Sequence, residues 1–214
     1  DNHKRIYRVY TQQRLQVRSP SPHGRSTGWN VMKADLIGRL SIVPPAPVKT
    51  LINETWRKKY DALYNRLDPH ISLGSALTGD AWKELNSGLV DLLATVSPFE
   101  VCLDHVERSA TNENTIFLGL RDGRPVVSIQ RLLESSFPTL MEKDPDFVPH
   151  LSIGWFSEPR ARDLAVEAVR EHLEEVRFVA GVVSLYRRDQ NGFWHPEQDV
   201  SLGVEGGGSG CSDL

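Results

Sequence analysis

The chain has 214 residues, of which 39% are hydrophobic and 25% are charged, and its formal net charge is −3. These values are typical of a globular protein with a sizeable core and exclude a fibre or a disordered chain. The small negative charge excludes attraction of polyanions by the overall field, so any nucleic acid must bind through a local basic patch. Two cysteines, Cys102 and Cys211, are too few for a disulfide framework and have the wrong spacing for zinc.

Composition also predicts the compartment and the domain limits. A chain with two cysteines and no long apolar run or signal peptide is expected to be intracellular, cytoplasmic or nuclear, with no membrane contact. Residues 1–34 mix basic residues with Ser, Pro and Gly, which predicts an N-terminal arm or linker. Residues 35–203 are expected to form one two-lobed domain, and the Gly/Ser-rich residues 204–214 a flexible tail.

Within residues 35–203, strand-like apolar runs alternate with amphipathic stretches. Strands are predicted at residues 40–43, 99–110, 114–122, 178–189 and 199–204, and helices at residues 47–67, 78–96, 125–140 and 158–176. Each of two copies of a short polar motif is followed by a helix of similar length and then by strands, which indicates a duplicated architecture. We therefore predict an α+β fold of two pseudo-symmetric lobes, each an antiparallel sheet with outer helices, and an active-site groove between them.

The duplicated motif is "PHISLG" at residues 69–74 and "PHLSIG" at residues 149–154. Side chains alternate between the two faces of a strand, so His70 and Ser72 should share one face while the aliphatic residues face the core. His150 and Ser152 should do the same in the second copy.

If the two polar faces meet, two imidazoles and two hydroxyls converge. Cleavage of a phosphodiester needs a base for the attacking oxygen and an acid for the leaving oxygen, and histidine serves in both roles near neutral pH. Serine hydroxyls could hold the non-bridging phosphate oxygens.

Three other interpretations of the motif have less support in the sequence. A single His-x-Ser is more often a strand edge bonded to backbone, but two matched copies favour function. Zinc binding by the two histidines lacks further ligands at a recognisable spacing, and neither serine lies in a Gly-x-Ser-x-Gly nucleophile elbow. The sequence therefore predicts no metal and no cofactor.

The pair "HISL" and "HLSI" resembles the signature of the two-histidine (2H) phosphoesterase superfamily over roughly residues 35–203. That superfamily includes RNA 2′,3′-cyclic phosphodiesterases once called 2′-5′ RNA ligases, 2′-5′ oligoadenylate phosphodiesterases and an exonuclease that trims a spliceosomal RNA. The resemblance implies that His70 and His150 are catalytic and that Ser72 and Ser152 bind phosphate. It also implies that the first histidine protonates the leaving oxygen while the second activates water, with roles that swap between substrate types.

Aromatic and basic residues near the motifs are candidates for substrate contacts, because aromatic rings stack on bases and arginine holds phosphates. The candidates are Tyr186, Trp155 and Arg187, with Tyr186 the first choice. Trp155 lies three residues after Ser152, which predicts the opposite, core-facing side unless the strand ends there. Residues 192–199 form a predicted turn with Trp194 and His195, which is either a lid or an ordinary hairpin.

These observations predict a monomeric, metal-independent phosphodiesterase that acts on an RNA end or a small nucleotide. It is expected to open 2′,3′-cyclic phosphates or trim short oligoribonucleotides. A 2′-5′ oligoadenylate phosphodiesterase is an alternative with the same chemistry. A non-catalytic module that binds RNA ends, aided by the basic N-terminal arm, is an alternative of another class.

Overall fold

The computed structural model describes residues 38–74, 85, 88–109, 114–141 and 143–203. The predicted arm at residues 1–34 and the predicted tail at residues 204–214 lie outside these described residues. The described strands are β1 Gly38–Ile42, β2 Ile71–Ser72, β3 Phe99–Arg108, β4 Thr115–Leu120, β5 His150–Trp155, β6 Val176–Ala180, β7 Val182–Arg188 and β8 Trp194–Ser201.

The helices begin where proline in the first turn favours them. They are α1 Ala46–Ile52, which continues through a π-helical turn at Asn53–Arg57 into α2 Lys58–Tyr60, then α3 Arg124–Ser136 and α4 Pro159–His172. Three of them, α1, α3 and α4, carry proline at the first or second position, where the missing N–H has no partner to lose. Of the helix predicted at residues 78–96, residues 88–93 are described as helical.

The helix predicted over residues 47–67 ends seven residues early, at Tyr60. Asp61 has extended backbone angles, and its side chain accepts the backbone N–H of Leu63 at 2.9 Å. This local bond competes with helix continuation, so the chain turns instead.

All eight described strands belong to one antiparallel sheet in the order β6-β3-β4-β5-β2-β1-β7-β8. The α+β class and the antiparallel pairing are confirmed. The division into two lobes with separate sheets is not, because the two motif strands, β2 and β5, are direct neighbours at the centre of a continuous sheet.

The strands of the first and second halves of the domain are interleaved in this sheet. The chain up to residue 109 supplies β1, β2 and β3, yet β3 pairs with β4 of the second half. The chain from residue 114 supplies β4 to β8, yet β7 pairs with β1 of the first half. Each side of the sheet is therefore built from both halves.

The core lies between one face of the sheet and the helices. The four aliphatic residues of the motifs are completely buried in it: Ile71, Leu73, Leu151 and Ile153. Helix residues such as Ile52, Ile129 and Val166 belong to the same cluster. None of the described helices has the length and apolarity to cross a membrane.

Candidate active site

The register of the two central strands brings the motifs together. Ile71 of β2 lies opposite Leu151 of β5 in an antiparallel ladder. One step along that ladder in either direction places His70 opposite Ser152 and Ser72 opposite His150. Diagonal neighbours in such a ladder are about 7–8 Å apart, which sets the separation of the two histidine Cα atoms.

The motif side chains alternate between faces as the sequence predicts. The two histidines and two serines are half-buried, while the residues between them are buried. Within the described part of the chain, neither serine hydroxyl has a hydrogen-bond partner. Two imidazoles and two unengaged hydroxyls therefore share one small area of the polar face.

Both imidazoles are anchored in the same way. Nδ1 of His70 lies 2.8 Å from the backbone oxygen of Asp68, and Nδ1 of His150 lies 2.8 Å from that of Val148. A carbonyl only accepts, so Nδ1 carries the proton in each ring. Each Nε2 is then the atom that can exchange a proton with a substrate.

Phe117 fixes the orientation of the second histidine. This residue lies opposite Ser152 on β4, and its ring centroid is 4.6 Å from that of His150. Phe117 is itself almost fully buried, so the contact holds the imidazole against a rigid surface.

The loop before the first motif is held by Asp68. Its carboxylate accepts hydrogen bonds from the Tyr186 hydroxyl at 2.7 Å and from Lys49 Nζ at 3.0 Å. Burial alone would raise the pKa of Asp68, but these two donors outweigh it and keep the pKa below its usual value. Because the backbone oxygen of Asp68 holds His70, this network positions the first imidazole.

Arg39 distinguishes the two histidines. Its Nη1 lies 2.9 Å from Nε2 of His70 and can only donate, so His70 is the neutral acceptor. Burial, followed by the charge of Arg39, lowers the pKa of His70 to about 3. The guanidinium Nε of Arg39 is buried without a hydrogen-bond partner among the described atoms.

The polar face reaches beyond the motifs. Ser41 of β1 lies opposite Ser72, and its hydroxyl is buried with no partner in the described part of the chain. On the other side, Gly119 of β4 lies opposite His150 and His105 of β3 lies opposite Gly119. A third imidazole therefore lies in the same row of the sheet as His150.

A β-bulge turns Trp155 toward the site. Phe117 pairs with Ser152 but Ile116 pairs with Gly154, so one extra residue is inserted in β5. Trp155 then lies opposite Thr115, on the face of Ser152. A core-facing Trp155 was expected unless the strand ends there; β5 does end at Trp155, whose side chain is half-buried.

The other two candidates are placed differently from the sequence-based expectation. Tyr186 shares the face of Arg39 but is only 2% exposed, and its hydroxyl is engaged by Asp68. It supports the loop of His70 and presents no free ring face for a base. Arg187 is exposed on the opposite face of β7 and pairs with Glu197 at 3.4 Å, so it points away from the site.

The turn with Trp194 and His195 is the β7–β8 hairpin. Asp189 holds it, accepting the backbone N–H groups of Asn191 and Phe193 at 2.9 Å each. Trp194 lies opposite Arg188, and its ring stacks with the guanidinium of Arg39, whose Cζ is 4.9 Å from the ring centroid. The hairpin is therefore in contact with the site.

Sequence reasoning missed Arg39 and Asp68. Asp68 directly precedes the motif "PHISLG", so its position was a usable signal. Arg39 was not recognisable, because it reaches His70 only through the pairing of β1 with β2. Across the described ranges, no three His, Cys, Asp or Glu side chains form a group that could hold a metal ion.

Comparisons with known proteins identify the family. The model of the 2′-5′ RNA ligase superfamily matches residues 43–192, and the chain belongs to that superfamily. The resemblance to the 2H class, a superfamily of phosphoesterases and RNA ligases, is thereby confirmed. No curated protein matches the sequence.

Solved structures share the fold at low sequence identity. A phosphoesterase is 17% identical with a TM-score of 0.56, over 79% of this chain and 99% of that one. Apo LigT of E. coli is 16% identical with a TM-score of 0.55, over 79% and 98%. TT0787 of Thermus thermophilus is 13% identical with a TM-score of 0.56, over 79% and 99%.

Proposed function

We propose that this chain is a metal-independent phosphodiesterase that acts on RNA ends or nucleotide derivatives, most simply on a 2′,3′-cyclic phosphate. The observation that carries the proposal is the register of β2 and β5, which puts each motif histidine opposite the serine of the other motif. This arrangement offers two Nε2 atoms for proton transfer and two hydroxyls for the non-bridging oxygens of one phosphate.

The mechanism is an in-line displacement at phosphorus. One neutral imidazole takes the proton of a water molecule at Nε2 while the water oxygen forms the new P–O bond. The ester P–O bond breaks on the opposite side, and Nε2–H of the other imidazole protonates the departing oxygen. Ser72 and Ser152 donate to the non-bridging oxygens as negative charge develops on them.

Arg39 assigns the roles in this proposal. A guanidinium at Nε2 keeps His70 neutral, which is the state required of a base. A bound phosphate attracts the guanidinium more strongly than an imidazole does, so Arg39 moves onto the phosphate and frees Nε2 for water. His70 is then the base and His150 the acid, the reverse of the usual order that the resemblance implied.

The likeness to LigT is consistent with a nucleotide or phosphate ligand. Structures of E. coli LigT complexed with 3′-AMP, with phosphate and with ATP are among those that share the fold, with TM-scores of 0.54, 0.53 and 0.54. A groove for a terminal nucleotide on the polar face would suit ligands of this kind.

Product analysis tests the proposal. The protein is incubated in EDTA with RNAs that end in a 2′,3′-cyclic phosphate, in a 3′-hydroxyl, or in a 2′-5′ linkage. We expect ring opening of the cyclic phosphate, and a fall of at least about 1,000-fold in His70→Ala and His150→Ala, since each removes one proton-transfer group. Arg170→Gln, on the exposed face of α4, is the matched surface control and should leave the rate unchanged.

A substrate with a good leaving group separates the two roles. A p-nitrophenyl phosphodiester of a nucleoside needs no acid, so His150→Ala should recover most of its lost activity on it while His70→Ala should not. Recovery in His70→Ala alone would reverse the roles. Full activity of both alanine variants on the cyclic phosphate, or loss of wild-type activity in EDTA, would contradict the mechanism. Binding without turnover on all three RNAs would indicate the non-catalytic alternative.

A further inference from the structure

Two guanidinium groups converge at the tip of the β7–β8 hairpin. A Cβ placed on Gly192 would lie 3.3 Å from Nη2 of Arg188 and 3.6 Å from Nη1 of Arg66, so these nitrogens are within about 7 Å of each other. Gly192 has a φ of 86°, which permits the tight turn that brings them together.

This pair of arginines is connected to the candidate active site through Arg39 and Trp194. Arg188 shares the polar face with Arg39, and its charge lowers the pKa of Arg39 beyond the effect of burial. Trp194, which stacks with Arg39, also donates its backbone N–H to the carbonyl of Arg66 at 2.8 Å. A continuous series of contacts thus joins His70 to Arg66.

Aromatic rings lie beside Arg39 and Arg66. Cζ of Arg66 is 5.4 Å from the centroid of the Phe193 ring. Neither Arg39 nor Arg66 forms an ion pair with a carboxylate among the described residues. The carboxylate of the turn itself, Asp189, is occupied by backbone N–H groups and by His195.

An anion bound between two guanidinium groups this close is attracted by both of them. Arginines interleaved with aromatic rings are the usual lining of a groove for single-stranded nucleic acid. A phosphodiester fits both requirements, since guanidinium groups bind phosphate oxygens in pairs.

We propose that Arg66 and Arg188, with the rings of Phe193 and Trp194, form a second phosphate subsite that binds the phosphodiester next to the one cleaved, while Arg39 binds the phosphate that is cleaved. The substrate is then a single-stranded oligoribonucleotide, which the enzyme prefers over a mononucleotide. This inference rests on the proposed function for its catalytic readout and deepens it by naming the substrate class.

A pair of substrates tests the subsite. The values of kcat/KM are measured for uridine 2′,3′-cyclic phosphate and for a tetraribonucleotide with the same cyclic end. Wild type should prefer the tetranucleotide, and Arg66→Gln should reduce that preference about tenfold, the loss of one charge-assisted contact. Phe193→Leu should reduce it as well, and Arg170→Gln, which changes the same charge on α4, should not.

Binding provides a readout that does not depend on turnover. A fluorescent tetranucleotide that ends in a 3′-phosphate is titrated with protein at several salt concentrations and followed by anisotropy. In Arg66→Gln the slope of log K against log salt should fall by about 0.7, as for one lost phosphate contact on a single strand. If wild type turns over neither substrate but this slope changes, the proposed function fails and the subsite stands. An equal effect of Arg66→Gln on both substrates, or an unchanged slope, would overturn the subsite.

Discussion

His70 and His150 are alike at Nδ1 and different at Nε2. Each donates Nδ1–H to the carbonyl two residues before it, a geometry that the shared Pro-His sequence produces in both copies. Among the described residues, a guanidinium lies at Nε2 of His70 but not at Nε2 of His150. At Nε2 the two halves of the site thus differ through Arg39, which lies outside the repeated motif.

The pKa of His70 gives a prediction for pH dependence. With a pKa of about 3, His70 should remain neutral at pH 5, where an ordinary histidine is protonated. The ring ¹⁵N shifts of His70 should show the neutral form with the proton on Nδ1. Arg39→Gln should raise the pKa, but not to 6.5, because burial is the larger cause and the charges of Arg57 and His150 remain.

The same pKa predicts a loss of stability in acid. As pH falls from about 6.5 toward about 3, the unfolded chain binds a proton at residue 70 and the folded chain does not, so folding becomes less favourable. Relative to His70→Asn, the wild type should lose at most about 1.4 kcal/mol of unfolding free energy per pH unit in this window, measured by urea titration. A constant difference between the two proteins would contradict the assigned pKa.

The face of the strand on which a side chain lies was predictable where a local pattern decides it. Period-two alternation placed the two His-x-Ser pairs on one face, and the structure agrees. Tyr186 was not predictable in the same way, since a tyrosine on a strand either stacks with a ligand or supports a buried carboxylate. Only the distant Asp68 decides between these uses.

At the scale of the element, each motif glycine has a local structural reason. A Cβ on Gly154 would lie 2.8 Å from Cβ of Tyr60 and 3.1 Å from Cγ1 of Ile116, both in the core. Gly74 has a φ of 153°, and a Cβ there would collide with Cε of Met141. Gly154 thus serves the packing of β5 against neighbouring elements, whereas the positive φ of Gly74 favours glycine, since the Met141 side chain can move.

Gly154→Ala should therefore destabilise the protein. The methyl group meets atoms close to the backbone that cannot rotate away, and overpacking of this kind costs about 1–3 kcal/mol. Gly119→Ala is the control, because its Cβ would meet the ring of His105, an exposed side chain that can move. Unfolding in urea measures both, and equal loss in the two variants would contradict the packing argument.

Because of the bulge in β5, periodicity does not predict the face on which Trp155 lies. Alternation counted from Ser152 puts Trp155 on the core side, but an inserted residue reverses the alternation beyond it. No local residue pattern predicts the extra residue of the bulge, because the bulge arises from the pairing of β5 with β4. Strand existence was therefore predictable here, whereas the face presented by the last residue was not.

For the whole molecule, the pairing of β3 with β4 and of β7 with β1 makes the two halves interdependent. The sequence predicted two lobes because the order of elements repeats, but it contains no information on which edges pair over such separations. β1 has β2 on one side and β7 on the other, and these come from opposite ends of the domain. Non-local pairing of this kind is set by the global fold and not by local propensity.

A chain cut between residues 109 and 114 tests this interdependence. The first fragment leaves β3 without β4, and the second leaves β7 without β1. We expect neither fragment alone to unfold cooperatively by circular dichroism, and an equimolar mixture to regain a cooperative transition. A first fragment that unfolds cooperatively by itself would show that each half is an independent lobe.

The pairing of β2 with β5 at the centre of the sheet also affects how forward and reverse reactions use the two histidines. A site in which two histidines are related by a local two-fold treats forward and reverse reactions alike, since the acid of one direction is the base of the other. Arg39 removes that equivalence by marking one imidazole as the proton acceptor. In the proposed mechanism, the orientation of a bound phosphodiester would then be set by a single arginine on β1, outside the two motifs.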